Sequence, residues 1–268
     1  MEINGNTKVM GIFGSPVNHS LSPYIHNFIA QRLGDNILYT AFDVTASDFA
    51  AAVTGARALG IIGFNVTAPH KAQAAQLAVS MDATASRAAA VNLMKLTAHG
   101  YAGYNTDIYG VCMAFKYHGI DVANKTIALV GAGGSAGAAA AAMAQMGAKK
   151  IFIINRTFSK AEFLANNLGM YYNINTEICE IDKPAAQAAD ILILATTPNF
   201  LPTGINHFNT IFDVNYHPPG RTGLAQTFGG PEMLIFQAVQ TYEIILGVTV
   251  PDKIIDEILK NVMGRLLC

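Results

Sequence analysis

The chain has 268 residues, of which 51% are hydrophobic and 13% charged, and its formal net charge is -1. Such a composition excludes a disordered chain, and the length allows two domains or one large α/β unit. A charge near zero leaves no electrostatic footprint for nucleic acid, and no basic stripe with interleaved aromatic residues occurs.

Val9 to Phe13 reads as a strand, followed by a turn at Gly14-Ser15-Pro16. Ser22-Pro23 has the pattern of an N-cap with proline at the first helical position, opening a helix to about Leu33. A strand at Ile37 to Phe42, a helix at Ser47 to Leu59, a strand at Ile61 to Val66, a helix opened by Pro69 and a strand at Val91 to Leu96 follow. This alternation predicts a largely parallel sheet. Asn105-Thr106-Asp107 caps a helix to about His118 that bridges two domains. Thr126 starts a second β/α series, with strands at Ile151 to Ile154, Ala189 to Leu194 and Ile211 to Val214. Two helices, about Pro231 to Leu246 and Pro251 to Leu266, close the chain. No linker rich in Pro, Ser or Gly separates the halves, and no repeat of fixed period occurs.

Thr126 to Ala148 carries no formal charge, and it can be read in two ways. Its length and polarity admit a transmembrane helix, with Gly133 and Gly137 at the small-xxx-small spacing of helix pairs in lipid. Strand, tight turn and helix fit better. A spanning helix would hold Gly131, Gly133, Gly134 and Gly137 near its middle, each costing about 1 kcal/mol relative to alanine. No leucine, isoleucine or valine follows Val130 within the run. The expected elements are a strand at Thr126 to Val130 and an alanine-rich helix from Ser135 to Met146.

Gly131, Gly133 and Ala136 fit the G-x-G-x-x-G/A form, in which a glycine turn brings a pyrophosphate to the N-H groups and positive dipole end of a helix. The bland alternative is a packing turn without ligand. The end of the next strand chooses the nucleotide, since Asp or Glu there would repel a 2′-phosphate. This chain has Asn155-Arg156-Thr157, with Lys160 one turn on, a donor set that suits a phosphate and favours NADP(H). Arg156 and Lys160 as a solvated helix start is the competing reading.

The first half is dense in small polar groups at strand ends and helix starts: Ser20, Ser22, Asn65, Thr67, Lys71, Asn92, Asn105, Thr106 and Asp107. In an α/β sheet such positions gather at the carboxyl ends of the strands. The segments Gly14-Ser-Pro-Val-Asn-His-Ser-Leu-Ser-Pro-Tyr-Ile-His-Asn27, Asn65-Val-Thr-Ala-Pro-His-Lys71, Ala90-Val-Asn92, Asn105-Thr-Asp107, Gly131-Ala-Gly-Gly134 and Asn155-Arg-Thr157, in that order, resemble the shikimate dehydrogenase family. The resemblance implies NADP-dependent, reversible reduction of 3-dehydroshikimate to shikimate, on the path to chorismate and the aromatic amino acids. It implies an α/β chain of two domains: residues 1–105 with 233–268 for substrate, and a doubly wound Rossmann domain, 106–232, for NADP(H), with a cleft between them.

Within that resemblance Lys71 and Asp107 are the catalytic pair. An ammonium can stabilise charge growing on a carbonyl oxygen or give it a proton, and Asp107 would orient it. Taken singly, Lys71 would be a solvated helix-start lysine and Asp107 a helix cap. Ser20 and Ser22 match the serines that bind the substrate carboxylate, though Ser22 is also an N-cap candidate. Asn65, Thr67 and Asn92 match positions at the ring hydroxyls. Gln237 breaks the apolar stripe of Leu234, Ala238, Thr241 and Ile245, where the family has a glutamine that reaches substrate. Tyr216 matches a tyrosine near the carboxylate and nicotinamide. The cofactor set is Gly131, Ala132, Gly133, Gly134, Ser135, Asn155, Arg156, Thr157, Lys160 and Thr196.

The family pattern is broken at Leu93, Tyr104, Ile108 and Pro231, which flank the catalytic pair and bear on substrate identity. A quinate or quinate/shikimate dehydrogenase is therefore the alternative within the same chemistry. An NADPH-binding regulatory protein without turnover is the alternative of another class. His19, His26 and His70 lack metal spacing and are expected to be structural, with no metal site. Cys112, Cys179 and Cys268 are far apart and expected to be free thiols, and the N-terminus lacks the features of a secretory signal. The expected setting is cytoplasmic, without nucleic-acid or membrane partners, as a monomer or homodimer.

Overall fold

A computed structural model of the chain describes residues 2–179, 189–196, 208–215 and 227–266. It divides into two compact units, one of residues 1–86, 90–106 and 235–268, the other of 87–89 and 107–234. The short excursion at 87–89 departs from the expected boundaries for a local reason. Asn167 Nδ2 donates to the Arg87 carbonyl at 2.7 Å, and a Cβ added at Gly137 would stand 2.6 Å from the Ala88 oxygen, so this segment lies against the helices of the second unit.

The first unit is built on strands Lys8–Gly14 (β1), Ile37–Asp43 (β2), Gly63–Val66 (β3), Ser80–Met81 (β4), Leu93–Thr97 (β5) and Gly100–Tyr104 (β6). They form one sheet in the order β2-β1-β3-β5-β6-β4. β2, β1 and β3 are parallel, but β5 runs antiparallel to both β3 and β6. The sheet is largely parallel, as expected, with β5 as its one reversed strand. β5 and β6 are joined by a tight connection too short for a crossover helix, and such a connection can only reverse the chain. Phe13 stacks on Phe64 at 4.2 Å and Tyr101 meets Phe64 edge-on at 4.8 Å, within a core that includes Phe49, Val66, Val91 and Met94.

Helices Ser22–Leu33 (α1), Phe49–Ala58 (α2), Lys71–Leu77 (α3) and Ala83–Ala88 (α4) punctuate these strands. α1 ends at Gly34 in the left-handed conformation (φ 77°), whose N-H returns to the Ala30 carbonyl. Two expected helix starts shift by a residue or two. Leu21, not Ser22, occupies the N-cap of α1, because the Ser20 hydroxyl already accepts the Ser22 N-H at 3.2 Å. Pro69 lies in the turn before α3, whose N-cap is His70.

The second unit holds Asp107–Tyr117 (α5), Thr126–Val130 (β7), Gly134–Gln145 (α6), Lys150–Ile154 (β8), Phe158–Tyr172 (α7), Asn175–Cys179 (β9), Ile191–Leu194 (β10), Ile211–Asp213 (β11) and Thr227–Gly229 (β12). All neighbours are parallel, in the order β12-β11-β10-β7-β8-β9. Read from β7 this is 3-2-1-4-5-6, the doubly wound dinucleotide fold. Near-continuous apolar strands such as Ile191–Leu194 suit a sheet covered on both faces. In α6, Ala138 to Ala142 are buried all round, packed on α5, α7 and β7. Only methyl side chains let a helix fit that closely, which explains the alanine run without lipid. No helix among the described residues is long and apolar enough to cross a membrane. Gly230–Leu246 (α8) starts in the second unit and passes into the first at Ile235, and Asp252–Leu266 (α9) packs on α1, with Arg32 paired to Glu257 at 2.8 Å and Arg265 over the Tyr24 ring at 3.9 Å.

Candidate active site

In the first unit, buried amides and hydroxyls converge at one end of the sheet. β3 ends near Asn65 and pairs with the start of β5 through Asn65 and Leu93, while Leu93 pairs with Tyr104 at the end of β6. Asn92, just before β5, and Thr106, just after β6, therefore arrive beside Asn65. Their relative exposures are 4% for Asn65, 2% for Asn92 and 1% for Thr106, and α8 brings Gln237 and Thr241 to them at 6% and 0%.

Polar groups so deeply buried must satisfy one another. Tyr39 Oη donates to Asn65 Oδ1 at 2.8 Å, and Asn65 Nδ2 donates to the Asn92 carbonyl at 3.2 Å and to Thr241 Oγ1 at 3.0 Å. Asn92 Nδ2 donates to Thr106 Oγ1 at 3.0 Å, and its Oδ1 accepts the Thr106 N-H at 2.7 Å. The Thr106 hydroxyl lies 3.2 Å from Gln237 Oε1 and 3.2 Å from Thr241 Oγ1. Asn105 stands outside this ring, holding the Ala90 carbonyl and the Thr84 hydroxyl.

Asn65, Asn92 and Gln237 of the expected set are thus brought together. Tyr39, Thr106 and Thr241 belong to the same network and were not among the candidates. Thr106 stood in the polar cluster already; Thr241 was hidden because threonine at helical spacing reads as part of an apolar stripe. Tyr39 sits inside a β-rich run, where no local signal separates it from core. Burial pushes its hydroxyl well above the ordinary tyrosine range, with the Ser22 hydroxyl working the other way.

His26 stacks on Tyr39 at 4.0 Å and is 1% exposed. Burial lowers its pKa from 6.5 to about 3; the Asn65 amide opposes this, yet neither ring nitrogen has a hydrogen bond of good geometry. His70 stacks on Phe49 at 4.4 Å with Nε2 2.7 Å from the Val44 carbonyl, fixing the chain just before Lys71. Among the described residues no group of three or more His, Cys, Asp or Glu is placed to hold a metal ion.

Ser20 and Ser22 are joined by the hydrogen bond at the start of α1. Thr67 is half-buried between β3 and α3, its N-H on the Phe13 carbonyl, and its hydroxyl takes no part in the network. Lys71, half-buried, opens α3 in the first unit; Asp107, 5% exposed, opens α5 in the second. Tyr216 lies outside the described residues.

In the second unit the glycine turn follows β7, at the switch point where the strand order reverses toward β10. Gly131 has φ 119°, donates to the Ile154 carbonyl at 2.9 Å, and a Cβ there would be 2.5 Å from the Ala195 oxygen. Its identity is demanded by the fold. Gly133 differs: its backbone is extended (φ -89°, ψ -173°) and nothing among the described residues lies within 4 Å of an added Cβ. The fold does not require glycine at 133. Ala132, Gly134 and Ser135 complete this turn. Asn155 Nδ2 closes onto the Thr157 carbonyl at 2.8 Å, Thr157 holds the N-cap of α7, and Arg156 and Lys160 are exposed beside it. Thr196, at the end of β10, is fastened by Asn215 Nδ2 at 3.0 Å; that amide also reaches buried Asp213 at 2.9 Å. Asp213 and Asn215 anchor the strand ends and had no motif to reveal them.

A doubly wound dinucleotide unit joined to an α/β unit with a buried ring of amides and hydroxyls defines a nucleotide-dependent enzyme of polar substrates. The chain belongs to the shikimate dehydrogenase family: residues 12–94 match the family model described as shikimate dehydrogenase substrate binding domain, and 113–203 that of shikimate / quinate 5-dehydrogenase. It is 33% identical to the shikimate dehydrogenase (NADP(+)) of Methanothermobacter thermautotrophicus, over 98% of this chain and 99% of that one. Among solved structures it is similar to a shikimate dehydrogenase in complex with NADP+ (TM-score 0.86, 32% identity, 99% and 98% of the two chains). It is also similar to shikimate 5-dehydrogenase from Listeria monocytogenes in complex with shikimate and NAD (TM-score 0.83, 27% identity, 97% and 98%).

Proposed function

We propose that the protein catalyses the reversible NADP-dependent reduction of 3-dehydroshikimate to shikimate. The observation that carries this reading is the buried network of Asn65, Asn92, Thr106, Gln237 and Thr241, a polyhydroxyl-binding arrangement in a chain that resembles shikimate dehydrogenases over nearly its whole length. The unit with residues 1–86, 90–106 and 235–268 takes the substrate and the other takes NADP(H).

When bound, NADPH is the source of the hydride. As negative charge grows on the oxygen of the ketone being reduced, the Lys71 ammonium stabilises it and gives a proton, a contribution available only as the transition state forms. Asp107 orients Lys71 and accepts from a ring hydroxyl. Ser20 and Ser22 hold the carboxylate near the start of α1, and Arg156 with Thr157 and Lys160 takes the 2′-phosphate. Cys112 is a buried free thiol, which supports work in a reducing, cytoplasmic compartment; the working form is a monomer or a homodimer.

Purified protein given shikimate and NADP+ is expected to produce NADPH, read by absorbance. No turnover with either NADP+ or NAD+ sinks the reading. Since the family description names quinate beside shikimate, the same assay run on quinate separates the second reading, a quinate/shikimate dehydrogenase.

A further inference from the structure

Within the buried network, Thr241 is the member to which the reaction as described gives no task of its own. It lies in the middle of α8 with no exposed surface, and a threonine so placed ordinarily returns its hydroxyl to the carbonyl four residues back. Here the hydroxyl instead bridges Asn65 Nδ2 at 3.0 Å and Thr106 Oγ1 at 3.2 Å.

The direction of each Asn65 bond can be worked out. The Asn92 backbone carbonyl can only accept, so the Asn65 group facing it at 3.2 Å is the NH2, and the amide orientation is fixed. Asn65 Oδ1 then faces Tyr39, whose hydroxyl donates. The second Asn65 amide hydrogen goes to Thr241 Oγ1. Thr241 Oγ1 also shares a hydrogen bond with Thr106 Oγ1 in which either hydroxyl can donate, and the Thr106 hydroxyl has Gln237 Oε1 at 3.2 Å and Asn92 Oδ1 at 3.3 Å as acceptors. Both amide hydrogens of Asn65 are consumed by protein, so its oxygen, which takes the Tyr39 hydroxyl and stands by the His26 ring, can meet a further partner only as an acceptor.

We propose that Thr241 is a positioning residue for substrate: by taking the second amide hydrogen of Asn65, it makes Asn65 meet a ring hydroxyl purely as a hydrogen-bond acceptor. The inference rests on the proposed dehydrogenase reading. Without the Thr241 hydroxyl one Asn65 N-H is left buried and unpaired; Asn92 and Tyr39 still set which way the amide faces, so the side chain shifts to find an acceptor or offers that N-H to the ring hydroxyl, and Asn65 no longer meets the substrate as an acceptor alone. Ground state and transition state lose this contact alike, so the loss is one of binding and not of chemistry.

The test uses Thr241→Val, which keeps the shape and removes the hydroxyl, beside Thr241→Ser, which keeps the hydroxyl. Expected for Thr241→Val is a KM for shikimate raised about tenfold with kcat within roughly twofold, as a single buried hydrogen bond implies. Thr241→Ser is expected to return KM to within about threefold of wild type. In an Asn65→Ala background Thr241→Val is expected to have no further effect on kcat/KM, because the group it acts through is gone. An unchanged KM in Thr241→Val overturns the proposal, as does a fall in kcat alone with thermal stability, which marks a merely structural threonine. An undiminished Thr241→Val effect in the Asn65→Ala background also overturns it. Failure of the underlying reading shows separately: wild type would then neither oxidise shikimate nor bind it by calorimetry, and the inference falls with it.

Discussion

Alanine at Gly131 and at Gly133 should have opposite consequences, although both glycines belong to one motif. At 131 the backbone is at φ 119°, which side-chain-bearing residues rarely adopt and which costs about 1–3 kcal/mol. The new Cβ would also stand 2.5 Å from the Ala195 oxygen and 2.9 Å from its carbon, both backbone atoms of the neighbouring strand end, adding about 1–3 kcal/mol of overpacking. Reduced freedom of the unfolded chain returns at most about 1 kcal/mol. Gly131→Ala should therefore destabilise the protein by about 1–5 kcal/mol, lowering the melting temperature by more than about 2 °C. At 133 the backbone is extended and the space open, so Gly133→Ala should melt within about 2 °C of wild type yet weaken NADP+ binding roughly tenfold or more, by keeping the pyrophosphate from the backbone. Circular-dichroism melts and cofactor titration of both variants decide this. If Gly131→Ala melts like wild type, or Gly133→Ala binds NADP+ unchanged, the division of labour between the two glycines is wrong.

Lys71→Ala should lower kcat by about 10²- to 10⁴-fold with a much smaller change in KM, and comparable losses in both would point to a binding role instead. Arg156→Ala should weaken NADP+ roughly 10- to 100-fold and leave NAD+ nearly unchanged in direct titrations; equal weakening would mean that Arg156 does not read the 2′-phosphate. His26, its pKa lowered to about 3, is neutral in both folded and unfolded chain above pH 6.5; below that the unfolded chain takes up a proton that the folded one refuses, so stability falls with pH down to about 3. Urea unfolding at pH 6 and pH 4 should show wild type losing about 1.4 kcal/mol per pH unit more than His26→Phe, and parallel curves would refute it.

What could be read from sequence follows the range of the forces involved. Thr126–Val130, Lys150–Ile154 and Ile191–Leu194 are almost wholly apolar, so burial on both faces declares them locally. Gly100–Tyr104 is Gly-Tyr-Ala-Gly-Tyr, which by propensity is a turn; it is a strand because β5 and β4 flank it. The two-residue β4, the edge strand β9 and the three-residue β12 are likewise products of pairing. Gln237 was conspicuous as an amide on an apolar stripe, whereas Thr241, one turn on, was not, because a threonine methyl satisfies the same pattern that its hydroxyl exploits.

Strand direction is the long-range choice on which the site depends. Asn65 lies near the carboxyl end of β3, and a β5 running parallel to β3 would have its start at the opposite edge, about 15 Å away along a five-residue strand. Asn92 and Asn65 could not then share a hydrogen bond. The reversal at β5, and again at β6, brings Asn92 from a strand start and Thr106 from a strand end to the same edge as Asn65. Small polar residues at alternate ends of successive strands look scattered in sequence. An antiparallel insertion gathers them, and α8 closes the ring with Gln237 and Thr241 from more than a hundred residues further on.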